Sequence, residues 1–180
     1  DHVKDAKYVI NCDSESIHVI CVASAGSCHM EFTRDLHRCA PTGDTALTVR
    51  AHALAGGHSG EVINEGRGNA IKAVADVLYR LSEGGVEYAL ADYKGGVAAN
   101  AIPSDASAVV VVAAKDVDRV KATVAAAEKD FNLVYGETDP NAVFEVTPAD
   151  LPKSVLSAED TTSIVDVINL LHCGVFAMDR

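Results

Sequence analysis

Positive charge is scarce in this sequence, tryptophan is absent, and no long hydrophobic run occurs. Its 180 residues include 15 Lys and Arg against 26 Asp and Glu, for a formal net charge of −11. Nucleic-acid binding depends on clustered Lys and Arg, so a nucleic-acid partner is not expected. No apolar run approaches the roughly 20 residues that span a bilayer, and the polar start lacks a signal-peptide pattern. The sequence therefore predicts a cytoplasmic protein with no membrane partner.

The cysteines are few and irregularly placed. There are five, an odd number without a CxxC pair: Cys12, Cys21, Cys28, Cys39 and Cys173. This pattern argues against a disulfide framework and against a structural zinc knuckle. Because Cys12 and Cys21 lie in strand-like apolar runs, we expect reduced, mostly buried thiols.

What is present is an ordinary globular composition. Hydrophobic residues make up 48% of the chain, and its length suits one domain with a real core. Short β-branched or alternating segments predict strands in both halves of the chain. These segments are 8–10, 17–22, 29–33, 46–51, 88–91, 108–113 and 143–146.

Three segments have the spacing of amphipathic helices. Apolar residues recur every three or four positions from Ile71 to Leu81, and Gly84 ends that helix. The second helix begins at Asp116, which can cap it, and the third begins at Ser157 with Asp160 three residues on. Helices between alternating strands predict an α+β open-faced sandwich, a mainly antiparallel sheet with helices on one face.

The most unusual local motif is a histidine between glycines, residues 56–60. Glycines there allow close approach of the backbone to a ligand, at the cost of local stability. His58 can donate a hydrogen bond to a developing oxyanion or exchange a proton near neutral pH, and a plain turn with a surface histidine is the alternative. Ser59 is not part of a hydrolase triad, because no strand-elbow pattern surrounds it.

Three further segments are candidate sites. Residues 66–70 open the first helix either as a tight turn or, less favoured, as a phosphate-binding loop without a P-loop lysine. Asn100 stands shortly before Pro103, where its amide can bind a carboxylate or a peptide carbonyl. Asp13 lies at a strand end where a metal ligand can project, with a solvated turn as the alternative. The histidines show no HxxxH or HxH spacing, so no complete metal site follows from local sequence.

Taken together, these motifs resemble, in order and spacing, the landmarks of the aminoacylhistidine (carnosinase-like) dipeptidases, which are zinc metallopeptidases. The segments that carry the resemblance are 11–15 (NCDSE), 57–63 (GHSGEVI), 66–70 (GRGNA), 95–96 (GG) with 100–103 (NAIP), and 170–178 (LLHCGVFAM). It runs from about Lys7 to Met178, while residues 117–156 contain no landmark.

The resemblance implies the lid domain that interrupts a two-zinc catalytic domain and forms the homodimer contact. Residues 1–16 then end a catalytic-domain strand, 17–175 form a ferredoxin-like lid and dimerisation domain, and 176–180 are a return segment or added tail. It implies a zinc-ligating carboxylate at Asp13, an oxyanion-stabilising histidine at His58 and a substrate contact at Asn100. The HxD motif, the paired glutamates and the C-terminal histidine of such enzymes are absent, so Asp13 has no co-ligands.

The expected function is therefore the lid of a zinc-dependent dipeptidase that hydrolyses Xaa-His peptides. The parent enzyme would hold two zinc ions, whereas this chain alone is expected to hold none and to be inactive. The alternative is a stand-alone α+β module that binds a small ligand or peptide without catalysis. Flanking coding sequence that supplies the HxD and paired-glutamate motifs would favour the dipeptidase.

Overall fold

The computed structural model describes residues 4–8, 10, 18, 20, 26 and 28–177, and the chain divides into two compact units, 1–34 and 35–180. The described residues of the first unit are exposed and lie outside helices and strands. The predicted strands 8–10 and 17–22 include residues outside the described part. The prediction for 29–33 is wrong: Met30 and Phe32 are 71% and 83% exposed, and alternation makes a strand only where one face is buried.

The second unit contains eight strands and four α-helices among its described residues. The strands are β1 (Arg38–Cys39), β2 (Thr45–His52), β3 (Gly57–His58), β4 (Tyr88–Gly95), β5 (Ala101–Ile102), β6 (Ala106–Val112), β7 (Val143–Ala149) and β8 (Val155–Leu156). The helices are α1 (Ser59–Val62), α2 (Ala70–Glu83), α3 (Val117–Tyr135) and α4 (Ala158–Leu170).

The main sheet has four strands in the order β4-β6-β2-β7, and every neighbouring pair is antiparallel. The valine-rich strand β6 is central, as its continuous apolar run predicts. Strands β2 and β4 flank helix α2 in the chain, and β6 and β7 flank α3. Two such strand-helix-strand units in one antiparallel sheet form the ferredoxin-like sandwich that the sequence predicts.

The helices cover one face of this sheet. On β2, the alternate residues Leu47, Val49 and Ala51 belong to the main core. That core also contains Leu78 and Leu81 of α2, Val120 and Val124 of α3 and Val165 of α4. The opposite face carries only a small cluster, Ala46 with Val111 and Val155. Most of the apolar burial, and so most of the stabilisation, lies between the sheet and the helices.

A side-chain cap forms at the start of two of the three long helices, α2 and α4. The Asn69 side chain accepts a hydrogen bond from Lys72 N at the start of α2, and Ser157 accepts one from Asp160 N at the start of α4. Asp116 precedes α3 but makes no side-chain cap bond, which corrects the sequence prediction. Its carboxylate instead accepts from the Arg119 guanidinium at 2.9 Å.

The thiol prediction is partly wrong. Cys28, Cys39 and Cys173 are free, as expected, but all three are exposed rather than buried, because they lie outside the core-facing positions of the sheet and helices. Cys12 and Cys21 lie outside the described residues. Within the described part of the chain, no helix has the length and apolar character needed to cross a membrane.

Candidate functional site

Residues 53–69, which we call the site loop, connect β2 to helix α2 through an unusual backbone. Four of its residues have positive φ: Ala53 (59°), Gly56 (59°), Gly57 (120°) and Gly66 (69°). Such conformations are costly for residues with a Cβ and often cluster at functional sites. The loop therefore has a fixed course that only glycine permits at several points.

The structure brings His58 and Asn100 together. Strand β3 pairs antiparallel with β5, so that His58 lies opposite Ala101. Both the amide and the hydroxyl of Ser59 donate to the Asn100 carbonyl, at 2.8 and 3.1 Å. Asn100 Nδ2 lies 3.2 Å from His58 Nε2, and both side chains are exposed. The histidine ring is thus held in place while it stays accessible to a ligand.

The contact with Asn100 defines which edge of the His58 ring is available. An amide nitrogen only donates, so Nε2 accepts and the ring proton of neutral His58 resides on Nδ1. A Cβ at Gly60 would lie 3.2 Å from Nδ1 and 3.1 Å from Cε1. Glycine at this position therefore avoids a tight contact between a Cβ and the Nδ1 edge of the His58 ring.

Arg67 supports the loop from inside. Its Nη1 donates to the Gly56 carbonyl at 2.5 Å, while Nε and Nη2 both bind one carboxylate oxygen of Glu65, at 2.9 and 2.7 Å. A Cβ on Gly57 would lie 2.6 Å from Nη1 of Arg67. The guanidinium therefore packs against the glycine that precedes His58, and it forms an ion pair with Glu65.

The start of helix α2 does not form a phosphate-binding loop. Three of its backbone N–H groups already have partners: Gly68 N donates to Asp139, Ala70 N to the Pro103 carbonyl, and Lys72 N to the Asn69 side chain. An anion would have to displace these bonds. The sequence allowed either a tight turn or a phosphate-binding loop at residues 66–70, and the structure favours the tight turn.

A groove of about 1360 Å³ lies beside the site loop, within the second unit. Ser59, Arg67 and Asn69 are among its lining residues, together with residues of α2, α3 and the 95–103 segment. His58 and Asn100 do not line it. The groove is open and mixed in polarity, and it shows no convergent set of catalytic groups of its own.

The described residues do not form a metal site. No group of three His, Cys, Asp or Glu side chains in the described part of the chain lies close enough to hold a metal ion. Asp13, the predicted zinc ligand, lies outside the described residues. The chemistry that the described site offers is therefore hydrogen bonding by the exposed side chains of His58 and Asn100.

Sequence reasoning missed Asp139, which contacts the site loop twice. Its carboxylate accepts from Ala55 N and Gly68 N, each at 2.7 Å. Asp139 follows the end of α3 and precedes Pro140, a pattern typical of a solvated turn. Only the tertiary fold, which places this turn beneath the site loop, distinguishes it from other turn aspartates.

Comparison with known proteins gives consistent matches. Residues 51–139, which include His58 and Asn100, match the peptidase dimerisation domain family (M20_dimer). The chain is 31% identical over 173 residues to the cytosol non-specific dipeptidase of Escherichia coli (strain K12), covering 94% of this chain and 35% of that protein. It matches the crystal structure of aminoacylhistidine dipeptidase from Vibrio alginolyticus with a TM-score of 0.77 and 26% identity, over 81% of this chain and 30% of that one. The chain thus spans about a third of the length of these relatives.

Proposed function

Because residues 51–139 match the peptidase dimerisation domain family and the chain is 31% identical to a dipeptidase over 173 residues, we propose that it is the lid of a zinc-dependent dipeptidase in which His58 stabilises the oxyanion. The proposed domain bounds are a catalytic-domain strand end in 1–16, the lid in 17–175 and a return segment in 176–180. The observation that carries the proposal is the exposed His58 ring, whose Nε2 lies 3.2 Å from Asn100 Nδ2.

In the proposed reaction, the lid supplies binding and charge stabilisation. Attack on a peptide carbonyl turns its oxygen into an oxyanion, and a preorganised N–H donor stabilises that charge in the transition state. His58 Nδ1–H is such a donor. We propose that Asn100 holds the ring and also contacts the substrate through its remaining amide groups. We propose that Asp13, which lies outside the described residues, is one of the metal ligands and that the others belong to the catalytic domain.

The proposal is tested by kinetics on the full-length protein that contains this chain. Substituting His58→Ala should lower kcat about a hundredfold to a thousandfold and change KM far less, because the lost interaction belongs to the transition state. The matched control is His52→Ala, whose side chain lies 3.4 Å from Glu145 on the sheet. It should leave kcat within about threefold, well under the donor range. If His58→Ala behaves like the control, the assigned role of His58 is wrong.

The proposed substrates are dipeptides with C-terminal histidine. The support is the likeness to the Vibrio alginolyticus aminoacylhistidine dipeptidase, while the Escherichia coli relative is a non-specific dipeptidase. We expect kcat/KM for Ala-His to exceed that for Ala-Ala in the full-length protein. Equal values would point to the non-specific class. The 180-residue chain alone should show no turnover, since one carboxylate cannot replace the roughly three protein ligands of a catalytic zinc.

We also propose that the chain forms a homodimer and acts in the cytoplasm. The support is the dimerisation-domain match and the cytosolic relative. Light scattering on the purified chain should give a mass near twice 18.8 kDa at micromolar concentration. A monomer mass across that range would contradict dimerisation through this domain alone.

A further inference from the structure

Asp139 is one of the most deeply buried polar residues described, with 1% of its surface exposed. It lies in the turn after α3 and accepts three hydrogen bonds. The donors are Ala55 N at 2.7 Å, Gly68 N at 2.7 Å and the Thr138 hydroxyl at 3.0 Å. None of the ion pairs between described residues includes Asp139. Its charge is therefore stabilised by neutral donors of fixed position.

The two backbone donors belong to opposite ends of the site loop. Ala55 N lies three residues before His58, and Gly68 N lies just before Asn69, the cap of α2. One carboxylate thus joins both ends, with one oxygen for each: Oδ1 accepts from Ala55 N and Oδ2 from Gly68 N. Glycine at 68 is required for this approach, since a Cβ there would collide with the Phe131 ring and lie 3.3 Å from Oδ2.

The hydrogen bonds from Ala55 N and Gly68 N to Asp139 are energetically costly to break. A buried carboxylate is costly unless hydrogen bonds compensate its lost hydration, and charge-assisted bonds are roughly twice as strong as neutral ones. Any displacement of Ala55 or Gly68 would leave part of that charge without a partner. The loop conformation and the buried charge therefore stabilise each other.

We propose that Asp139 is a positioning residue for His58: by holding both ends of the site loop, it sets the place where the His58 ring meets Asn100. This inference rests on the proposed function of His58 as an oxyanion donor. Asp139 has no contact with His58 itself, so its effect passes through the backbone of residues 55–58. Its substitution should alter the geometry of the site and not merely the stability of the chain.

The chain offers a matched control in Asp160, which is also 1% exposed. Asp160 accepts from a backbone amide, His37 N at 2.7 Å, and lies within 3.2 Å of His37 Nδ1. It occupies the first turn of α4, where its own amide donates to Ser157. Asp139→Asn and Asp160→Asn thus remove the same chemical group from equally buried sites, only one of which contacts the site loop.

The first experiment uses the 180-residue chain, labelled with ¹⁵N, and compares these two variants by NMR. Asp139→Asn should shift the amide signals of Ala55, His58 and Gly68 and speed hydrogen exchange at Ala55 and Gly68 about tenfold, the worth of one such bond. Asp160→Asn should leave those signals in place, although both variants lower the unfolding midpoint. If Asp139→Asn lowers the midpoint while the His58 signals stay unchanged, the inference is overturned.

A milder variant covers the case in which Asp139→Asn does not fold. Thr138→Val keeps the side-chain shape but removes the hydroxyl, which lies 3.0 Å from Asp139 Oδ2 and 3.2 and 3.5 Å from the carbonyls of Tyr135 and Gly66. It should move the same three amide signals in the same direction by a smaller amount. Unchanged signals in this variant would equally overturn the inference.

The second experiment uses the full-length protein and separates this inference from the proposed function. Asp139→Asn should lower kcat about tenfold, with KM within about twofold, since misplacing a donor weakens the transition state most. If His58→Ala has no effect on kcat, the proposed function fails, whatever the NMR result. If His58→Ala lowers kcat while Asp139→Asn changes neither kcat nor the loop signals, only the positioning role fails.

Discussion

The helix-covered core and the site loop are stabilised by different interactions. Val49 and Val110 of the sheet and Leu78 of α2 are at most 1% exposed, and burial of their apolar surface is non-directional. Apart from Leu54, the side chains of the site loop lie outside this core, and the loop is fixed by directed contacts, among them those of Arg67 and Asp139. Substitutions in the core should therefore lower stability without changing the site geometry, whereas substitutions at the contacts that hold the site loop should change both.

The largest expected effect is on the core. Leu78→Ala removes a fully buried side chain of α2 that packs on the sheet, and such a cavity costs about 2–5 kcal/mol of unfolding free energy. The His58 and Asn100 amide signals should stay in place below the transition. Denaturant unfolding and an NMR spectrum of the same sample provide the two measurements.

The control for this prediction makes the same substitution at an exposed position. Leu133 of α3 is 78% exposed, and Leu133→Ala should change the free energy of unfolding by no more than about 0.5 kcal/mol. Equal losses for Leu78→Ala and Leu133→Ala would show that burial in this core does not dominate stability.

The next effect is on the site loop. Gly57 has φ 120°, and a Cβ there would crowd Arg67 Nη1 at 2.6 Å and Val62 Cγ2 at 2.8 Å. Gly57→Ala should cost about 1–3 kcal/mol through backbone strain and should shift the His58 and Asn100 signals. Gly85→Ala is the control, because Gly85 also has positive φ (71°) but open space around its Cα. A Gly57 variant with unchanged His58 signals would contradict the fixed course of the loop.

The core could be predicted from the sequence more completely than the site loop. The spacing from Ile71 to Leu81 predicts α2, and the structure confirms it at Ala70–Glu83, between Asn69 and Gly84. Periodicity reports burial on one face, so it works where apolar packing determines the structure. It failed at 29–33, where alternating residues are all exposed.

His58 and Asn100 were candidate site residues from the sequence, and the structure places their side chains 3.2 Å apart. The contacts that hold the site loop were not predicted. The roles of these two residues remain proposals, as does the role of Asp13, which lies outside the described residues. Asp139 could not be predicted, because its contacts join residues 71 and 84 positions away in the chain. Patterns within a short stretch of sequence do not reveal hydrogen bonds between residues so far apart.

A smaller effect concerns the pH dependence of the core. The Tyr93 hydroxyl donates to the Ile71 carbonyl at 2.5 Å, and burial raises the pKa of Tyr93 above its ordinary value. Because the folded state favours the neutral phenol, this stabilisation is complete below about pH 10, the unfolded value, and is lost as pH rises beyond it. Tyr93→Phe should lower the free energy of unfolding by about 1 kcal/mol at pH 8, and the difference in urea midpoint between wild type and variant should be smaller at pH 11. A difference in urea midpoint that stays constant from pH 8 to pH 11 would contradict this.

The smallest effect is expected at an ion pair next to the site loop. Arg50 of β2 binds Asp105 through two bonds, at 3.1 and 2.5 Å, and Asp105 follows Ser104, whose carbonyl accepts from Leu54 N. The hydrogen bond from Arg50 lowers the pKa of Asp105. The stabilisation is therefore present above about pH 4, the unfolded value, and is lost as pH falls through the lower folded value.

Both side chains of this pair are more than 40% exposed, so solvent and salt screen their attraction. Asp105→Asn should lower Tm by no more than about 2 °C at pH 7, and the difference should vanish near pH 2 or in 1 M salt. Asp92→Asn removes an exposed ion pair, in which the Asp92 carboxylate lies 3.3 Å from Lys94 Nζ, and provides a matched control with no expected change in Tm.

Because directed bonds from Asp139 and Arg67 already fix the site loop, the His58 signals should not move in Asp105→Asn. A Tm loss as large as that of Gly57→Ala, with shifted His58 signals, would mean that this pair couples core and site loop, and the separation between them would not hold.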